Sequence, residues 1–452
     1  MKIKTGYFLP AIILYASNCH GLDWLIDPEF GFTERYTDNL RLATTNTPHR
    51  DNLISTISPS LLLGYVADDN ELKANFNWNQ LVYHGESSLD FSEKILTVNH
   101  LFNGDRWKTE LEAKYGLESS LTTQLDVNGS GLVSAQVGRL TKSISPEFTY
   151  KLTEKNSLQL SGTYIDASFE KHPSIGFSDY TNQQVNATIF HNYSEQLSFN
   201  FNTGYSIYKA GNNFPGTANE QVLAYNLLLT PNILFNDPYN LTYSQKSTTL
   251  SYQLGLQYAF SEQMMFSATA GIRDTTSHSS EIYTFGYVPG YPAGYPGYTP
   301  AVPGYSVTSN TNGKIYSASL TRDFETGNFS LSANQQLNPA STGSQMQTSS
   351  ITASVNYNFS ERWTAGFMSS YLIAQAVSAV NTSLNNQNNL AYFNRNLATL
   401  SPNVQWQWTP DIHLKFSYTY MEQNYTQTNQ SAFANNVQLQ FIYQPQINRQ
   451  VK

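Results

Sequence analysis

The sequence predicts an all-β protein, a transmembrane antiparallel up-and-down β-barrel of about 18 strands, and three observations predict it. Apolar and polar residues alternate over nine or more positions in many segments, as in strands with two different faces. Many of these segments meet at short turns that repeat a Ser/Thr-Glu pattern. The chain is 14% aromatic and only 13% charged, with a mean hydropathy of −0.40. This mixture suits strands that face lipid on one side and water on the other.

The N-terminus has the pattern of a secretory signal peptide, residues 1–21. Two lysines precede an apolar stretch, 6–15, that is too short to span a bilayer as a helix. Cys19 is the only cysteine; lipidation there is an alternative, although residues 16–18 fit a lipoprotein signal poorly. Removing the leader would leave no cysteine for a disulfide or thiolate metal site. The loss of its two lysines would change the net charge from −8 to −10, which argues against nucleic acid as a partner.

Residues 22–443 are predicted to form the barrel, followed by a short polar tail, 444–452. Eight tight turns give sixteen strands; they lie near 68–70, 103–106, 153–156, 194–196, 261–263, 325–328, 360–362 and 409–411. One strand near 28–37 precedes them and one near 433–443 follows, which makes eighteen. A slip of one hairpin would make 16 or 20. An even number places both termini and the short turns on the periplasmic side.

Three of the turns share a bulky residue followed by Ser-Glu, at 193–197, 260–264 and 359–363, and looser versions occur at 152–154 and 408–411. Aromatic residues cluster at the strand ends, where rings that are partly polar prefer the headgroup level. They are Tyr150, Tyr193, Phe260, Phe359, Trp363, Trp406, Trp408, Tyr418, Tyr420 and Tyr443. An aromatic end to the last strand also suggests the barrel assembly machinery as a partner.

Ser-Pro pairs at 58–59, 145–146 and 401–402 are predicted to open strands near the outer rim, because proline lacks the amide hydrogen of a ladder. The longer connections between hairpins are predicted to be extracellular loops. They lie near 38–52, 84–93, 118–143, 170–182, 209–247, 274–314, 338–349, 374–399 and 422–432.

The most specific resemblance to a known family lies in residues 32–40 and 51–59. The first segment reads Phe-Thr-Glu-Arg-Tyr-Thr-Asp-Asn-Leu, and the second, Asp-Asn-Leu-Ile-Ser-Thr-Ile-Ser-Pro, starts a strand. Together they resemble the opening of the outer-membrane β-barrel porins associated with exopolysaccharide and PEP-CTERM gene systems (EpsL-like proteins). The resemblance implies the bacterial outer membrane, its lipid, and surface polysaccharide or its export apparatus as partners.

Charged residues concentrate in one predicted strand, where Lys108, Glu110, Glu112 and Lys114 alternate with other residues. They are candidate lumen charges that set the field of a channel. The alternative is a ladder of ion pairs that only satisfies itself. The lumen is otherwise expected to be mostly Asn, Gln, Ser and Thr. Such a surface suits a neutral, hydroxyl-rich solute such as a glycan, although any barrel must face water with polar groups.

The predicted loop 274–314 repeats Pro-Gly-Tyr at 289–291, 296–298 and 303–305. Its tyrosines are candidate ligand contacts, displayed on a partly stiff backbone to stack on sugar rings or to plug the pore. They are Tyr287, Tyr291, Tyr295, Tyr298 and Tyr305. The alternative is a low-complexity surface loop.

No catalytic site, metal site or cofactor is predicted. The histidines are scattered without the spacing of metal ligands, and no Gly-x-Ser-x-Gly motif occurs. The expected function is therefore porin-like and non-enzymatic, associated with exopolysaccharide export or surface assembly. The alternative is a surface adhesin that binds glycan through its long extracellular loops.

Overall fold

The computed structural model describes residues 23–44, 51–123, 136–170, 177–217, 238–285, 306–340, 345–377, 394–426 and 429–445. Eighteen strands form one antiparallel sheet in chain order, and the sheet closes because β1 pairs with both β2 and β18. The predicted closed barrel is therefore confirmed, with the predicted strand number. The predicted leader, 1–21, and residues 446–452 of the predicted tail lie outside the described residues.

The strands are β1 Asp23–Thr37, β2 Asn52–Val66, β3 Asn70–His84, β4 Phe91–Asn103, β5 Trp107–Ser119, β6 Gly138–Lys151, β7 Asn156–Phe169, β8 Asp179–Asn192, β9 Leu197–Thr217, β10 Pro238–Ser261, β11 Met264–Phe285, β12 Ser306–Phe324, β13 Gly327–Pro339, β14 Gln345–Asn358, β15 Trp363–Ala376, β16 Arg395–Thr409, β17 Ile412–Tyr425 and β18 Gln430–Tyr443. The described helices are two single turns, Ser87–Leu89 and Ser120–Thr123. No helix in the described ranges is long and apolar enough to cross a membrane.

The outer face of the barrel carries a belt of exposed apolar side chains. On β1, Ile26, Phe30 and Phe32 are all exposed, and they occupy alternate positions with the lumenal residues. Residues paired across strands share a face, so the belt continues around the sheet. Aromatic rings stack along its periplasmic edge; Trp363 and Trp406, for example, lie 5.7 Å apart. Such a belt with aromatic edges is what a barrel needs to face hydrocarbon and the headgroup region.

The hydroxyl residue of each repeated turn holds that turn closed. Ser194 Oγ accepts a hydrogen bond from the backbone N–H of Leu197 at 3.0 Å. Ser360 Oγ accepts one from Trp363 at 3.2 Å, and Thr153 Oγ1 accepts one from Asn156 at 3.0 Å. These bonds stabilise the turn as an alternative to a ladder bond. All eight predicted turns join strands that pair with each other.

The prediction that Ser-Pro pairs open strands at the rim is wrong. Pro59, Pro146 and Pro402 lie in the middle of β2, β6 and β16. In each case the ladder to the next strand skips the Ser-Pro pair and resumes in the same register. Proline has no amide hydrogen to donate, so the barrel tolerates it as a local gap in pairing.

The predicted loops 209–247 and 274–314 are partly wrong, because β9 to β12 extend into them. These four strands have 21, 24, 22 and 19 residues, against 13 to 15 in the other strands. Residues 306–315 of β12 lie beyond its pairing with β13, and all of them pair with β11. Outward side chains there, such as Thr276 and Asn310, are polar. This part of the sheet therefore projects beyond the apolar belt as a four-stranded wall.

Two residues of the segment 32–40 complete the seam between β1 and β18. The carboxylate of Asp38 accepts hydrogen bonds from the backbone N–H of Asn435 at 2.7 Å and from its Nδ2 at 2.6 Å. Asn39 Nδ2 donates to the carbonyl of Phe433 and to that of Ala43, both at 2.9 Å. These bonds extend the seam past the end of β1 and turn the following chain into the lumen.

Candidate functional site: the lumen of the barrel

The strand register places alternate side chains in the lumen. Most of the charged ones lie on one side of the barrel. We call the lumenal side chains of β1–β6 the charged wall and those of β7–β16 the neutral wall. The charged wall contains Asp23, Asp27, Glu29, Arg35, Glu71, Lys73, Glu93, Lys108, Glu110, Glu112, Lys114, Glu118, Arg139, Glu147 and Lys151. Among the described side chains, the neutral wall has three charged residues, Arg273, Asp323 and Arg395.

The four charges predicted for the lumen all lie on the lumenal face of β5. Lys108 forms an ion pair with Glu110, and Lys114 Nζ lies 3.1 Å from Glu118 Oε1. Glu112 pairs across the sheet with Asn99 and Ser145. Whether these charges set the field of a channel or form a ladder that only satisfies itself stays a prediction. The charges are not confined to this strand, however, since the charged wall extends over six strands.

The neutral wall is held together by hydrogen bonds between hydroxyl and amide side chains. Asn202 Nδ2 donates to Thr188 Oγ1 at 2.6 Å. The hydroxyl groups of Ser330 and Ser354 lie 2.7 Å apart. Similar pairs recur at 2.7 to 2.9 Å around this side of the barrel, joining Ser267 to Ser319, Thr269 to Ser317, Thr249 to Thr275 and Ser247 to Ser277. The wall therefore offers donors and acceptors with little net charge.

The predicted tyrosine contacts, Tyr287, Tyr291, Tyr295, Tyr298 and Tyr305, lie outside the described residues. The role assigned to them stays a prediction. Residues 218–237 of the predicted loop 209–247 also lie outside the described part of the chain.

Residues 38–44 fold into the lumen at its outer end. The sequence analysis predicted only an extracellular loop near 38–52. Leu42 is 2% exposed and packs in an apolar socket on β15, β16 and β18. The socket consists of Leu372, Leu397, Ala432 and Ala434. Leu40 enters a second cluster that includes Ile54 and Tyr83. The sequence does contain a signal for this fold, two leucines in a short polar connection, because leucine side chains are usually buried.

A second contact within the lumen joins β9 to the end of β13. The carbonyl of Ala340, just after β13, accepts a hydrogen bond from Tyr208 Oη on β9 at 3.2 Å. Tyr208 is fully buried and lies 5.9 Å from the ring of Tyr180. These rings belong to an apolar cluster with Phe169 and Phe177. The lumen was predicted to be mostly polar, and its outer end contains apolar clusters that the prediction did not include, because loops must bury apolar side chains to fold inward.

Two lumenal cavities lie beside these inward segments. The first, of about 260 Å³, is bordered by Arg35, Leu42 and Tyr83. The second, of about 440 Å³, lies between β5, β6 and the outer end of β13, where Arg139, Thr141 and Asn338 border it among others. The second is within the size range of small-molecule sites, about 300–1,000 Å³.

The outer face has one arrangement that resembles a nucleophile site and differs from it in its hydrogen bonds. Ser55 Oγ lies 2.6 Å from His84 Nε2 and donates to Glu34 Oε1 at 2.7 Å. A serine nucleophile must give its proton to the histidine. Here the hydroxyl proton is directed to the carboxylate. In the described part of the chain, no group of three or more His, Cys, Asp or Glu side chains could hold a metal ion.

A closed 18-stranded barrel with an apolar belt and aromatic edges is an outer-membrane β-barrel of porin-like architecture, in contact with membrane lipid. No family model matches the chain, and no curated protein matches it. The class stated here therefore rests on the architecture.

Solved structures with similar folds are outer-membrane proteins. The ferric yersiniabactin uptake receptor FyuA from Yersinia pestis is 8% identical, with a TM-score of 0.44 over 92% of this chain and 80% of that chain. The outer membrane channel DcaP of Acinetobacter baumannii is 11% identical, with a TM-score of 0.40 over 94% of this chain and 98% of that chain. Pseudomonas aeruginosa OccK2 is 8% identical, with a TM-score of 0.43 over 94% of this chain and 99% of that chain. Similarity at this level says nothing about solute or partner.

Proposed function

We propose that this protein is a porin-like, non-enzymatic channel for a hydroxyl-rich glycan, associated with exopolysaccharide export or surface assembly. Its partners in that role would be the polysaccharide or its export apparatus. The barrel assembly machinery would recognise the last strand, which ends at Phe441 and Tyr443.

The observation that carries the proposal is the neutral wall. Its amides and hydroxyls are arranged in hydrogen-bonded pairs, such as Asn202 with Thr188, on about half of the barrel. Side chains of these types can exchange hydrogen bonds with sugar hydroxyls without removing water from a charged group. A sugar chain moving along such a wall would meet many weak, similar sites, which favours passage over tight retention.

The test is conductance in a planar bilayer with the purified, full-length barrel. We expect stepwise openings, and we expect a neutral oligosaccharide such as maltohexaose to reduce the ion current reversibly. Asn202→Leu should weaken this block several-fold, because it removes an amide from the neutral wall. Phe201→Leu is the matched control, because Phe201 is on the same strand and faces lipid. A barrel without conductance, or an equal effect of both substitutions, would contradict the proposal.

The narrowing of the outer lumen favours a second candidate function, a surface adhesin that binds glycan through its extracellular loops. In that case the barrel is an anchor, and its lumen does not conduct. Glycan binding to the protein in detergent, together with a silent bilayer, would support the adhesin and reject the channel.

A further inference from the structure

We propose that the larger lumenal cavity binds the carboxylate of an acidic sugar unit, with Arg139 as its principal contact. The inference rests on the proposed function in one respect, since it names the class of sugar that the lumen takes. The cavity lies where the charged wall approaches the outer end of β13, next to the inward segment at Ala340.

The guanidinium of Arg139 has capacity for a further acceptor. One of its terminal nitrogens, Nη2, donates to Tyr180 Oη at 2.7 Å, and the ring of Phe169 lies 6.0 Å from Cζ. The Nε atom is buried and makes no hydrogen bond. Among the described residues, no carboxylate forms an ion pair with it. A cation held by one phenol hydroxyl and an aromatic ring is suited to a carboxylate, which matches the planar donor geometry of arginine.

The two acidic side chains that border the cavity are already engaged. Glu118 Oε1 lies 3.1 Å from Lys114 Nζ. Glu93 Oε1 accepts from the backbone N–H of Ser119 at 3.1 Å and from Thr122 Oγ1 at 2.7 Å, and its Oε2 accepts from Asn79 Nδ2 at 3.1 Å. What the cavity lacks is therefore an acceptor for Arg139, and a ligand carboxylate supplies one.

A second polar group, the Thr141 hydroxyl, indicates a sugar in preference to a simple anion. Thr141 is 8% exposed, and its Oγ1 is buried without a hydrogen-bond partner. It lies two residues from Arg139 on the same face of β6, about 6–7 Å along the strand. A ligand with a carboxylate and a ring hydroxyl can satisfy both groups at once, and both residues border the cavity.

The test compares an acidic sugar with its uncharged counterpart. Binding of trigalacturonic acid and of its methyl ester to the full-length barrel in detergent is measured by titration calorimetry at low salt. We expect the acid to bind at least tenfold more tightly. Arg139→Gln should remove this preference, and Thr141→Val should weaken binding of the acid and the ester by a similar factor.

Lys142→Gln is the matched control, because it removes one positive charge from β6 three residues beyond Arg139. Lys142 faces outward, where its ion pair with Asp166 is 3.8 Å long. It should bind the acid like the unaltered protein. If Arg139→Gln does not fold, as judged by heat-modifiable migration on gels, Arg139→Lys replaces it, with an intermediate loss expected.

Equal affinity for acid and ester, no binding of either, or an equal loss in the Lys142 control would overturn the inference. These results differ from a failure of the channel. A barrel that binds the acid preferentially but does not conduct retains this site and loses the proposed function. A barrel that conducts and shows no preference retains the function and loses the site.

Discussion

At the scale of single residues, the lumen is built from close approaches that the strand pattern does not reveal. Arg273, 5% exposed, lies across Gly313 of the neighbouring strand. Its guanidinium donates to Thr275 Oγ1 and, beyond β12 and β13, to Gln347 Oε1, both at 2.9 Å. A Cβ at position 313 would lie 2.7 Å from Arg273 Cζ. Only glycine leaves this path open, so one missing side chain allows a contact between non-adjacent strands.

Gly313→Val should therefore displace Arg273 and break its bond to Gln347. We expect a loss of about 1–3 kcal/mol in the free energy of unfolding, because a buried guanidinium loses partners. Urea unfolding in detergent micelles, followed by tryptophan fluorescence, measures it. Gly162→Ala is the control, since a Cβ there meets its neighbours at an ordinary 3.6 Å. Equal stability of the two variants would show that Arg273 readjusts without cost.

At the scale of elements, the segment 38–44 lies in the lumen and is the clearest restriction among the described residues. Asn39 holds the turn of this segment, because its Oδ1 accepts a hydrogen bond from the backbone N–H of Ala43 at 2.8 Å. Leu42 has a φ of +47°, which is unfavourable for a residue with a side chain. Its burial in the socket on β15, β16 and β18 offsets that strain. The segment is thus held by Leu42 in its socket, by Leu40 in the second apolar cluster, and by the hydrogen bonds of Asp38 and Asn39.

Leu42→Ala should release this segment, since truncating a buried leucine costs about 2–5 kcal/mol. We expect a larger single-channel conductance and faster cleavage by trypsin after Arg41 in the folded barrel. Leu53→Ala is the comparison, because Leu53 is 43% exposed on the lipid face. If both variants protect Arg41 equally and conduct equally, Leu42 does not hold the segment in the lumen.

The sequence predicted the elements well and the lumen less well, for physical reasons. Alternation and turn hydroxyls such as Ser194 and Ser360 are local signals, so the strands and tight turns were predictable. The position of Pro59 was not, because tolerance of a ladder gap depends on the rest of the sheet. The cavity at Arg139 depends on Asn338, which is distant in the chain. Nothing local in the sequence marks such a contact.

At the scale of the whole molecule, the lumenal charges nearly balance although they are unevenly placed. The charged wall has nine acidic and six basic residues. The described lumenal side chains of β7–β18 add one acid, Asp323, and three bases, Arg273, Arg395 and Lys415. The described lumenal side chains thus carry both signs in almost equal number, and most of these charges face the neutral wall from across the barrel.

An open channel should consequently show little preference between potassium and chloride. We expect a permeability ratio within about a factor of two of unity, because selective pores need a ring of one sign. The reversal potential under a KCl gradient measures it, and repeating it at higher salt checks for screening. A strong preference for either ion would mean that a small subset of these charges controls the narrowest point.

The extended sheet of β9–β12 gives the barrel a lopsided profile. Its longest strand exceeds an ordinary one here by enough residues to rise roughly 25 Å higher, at about 3.3 Å per residue with a tilted strand. A solute that passed through an open lumen would meet this taller wall on one side of the outer opening and solvent on the other. In a conducting barrel, the wall would therefore limit the directions from which a solute can approach or leave the outer opening.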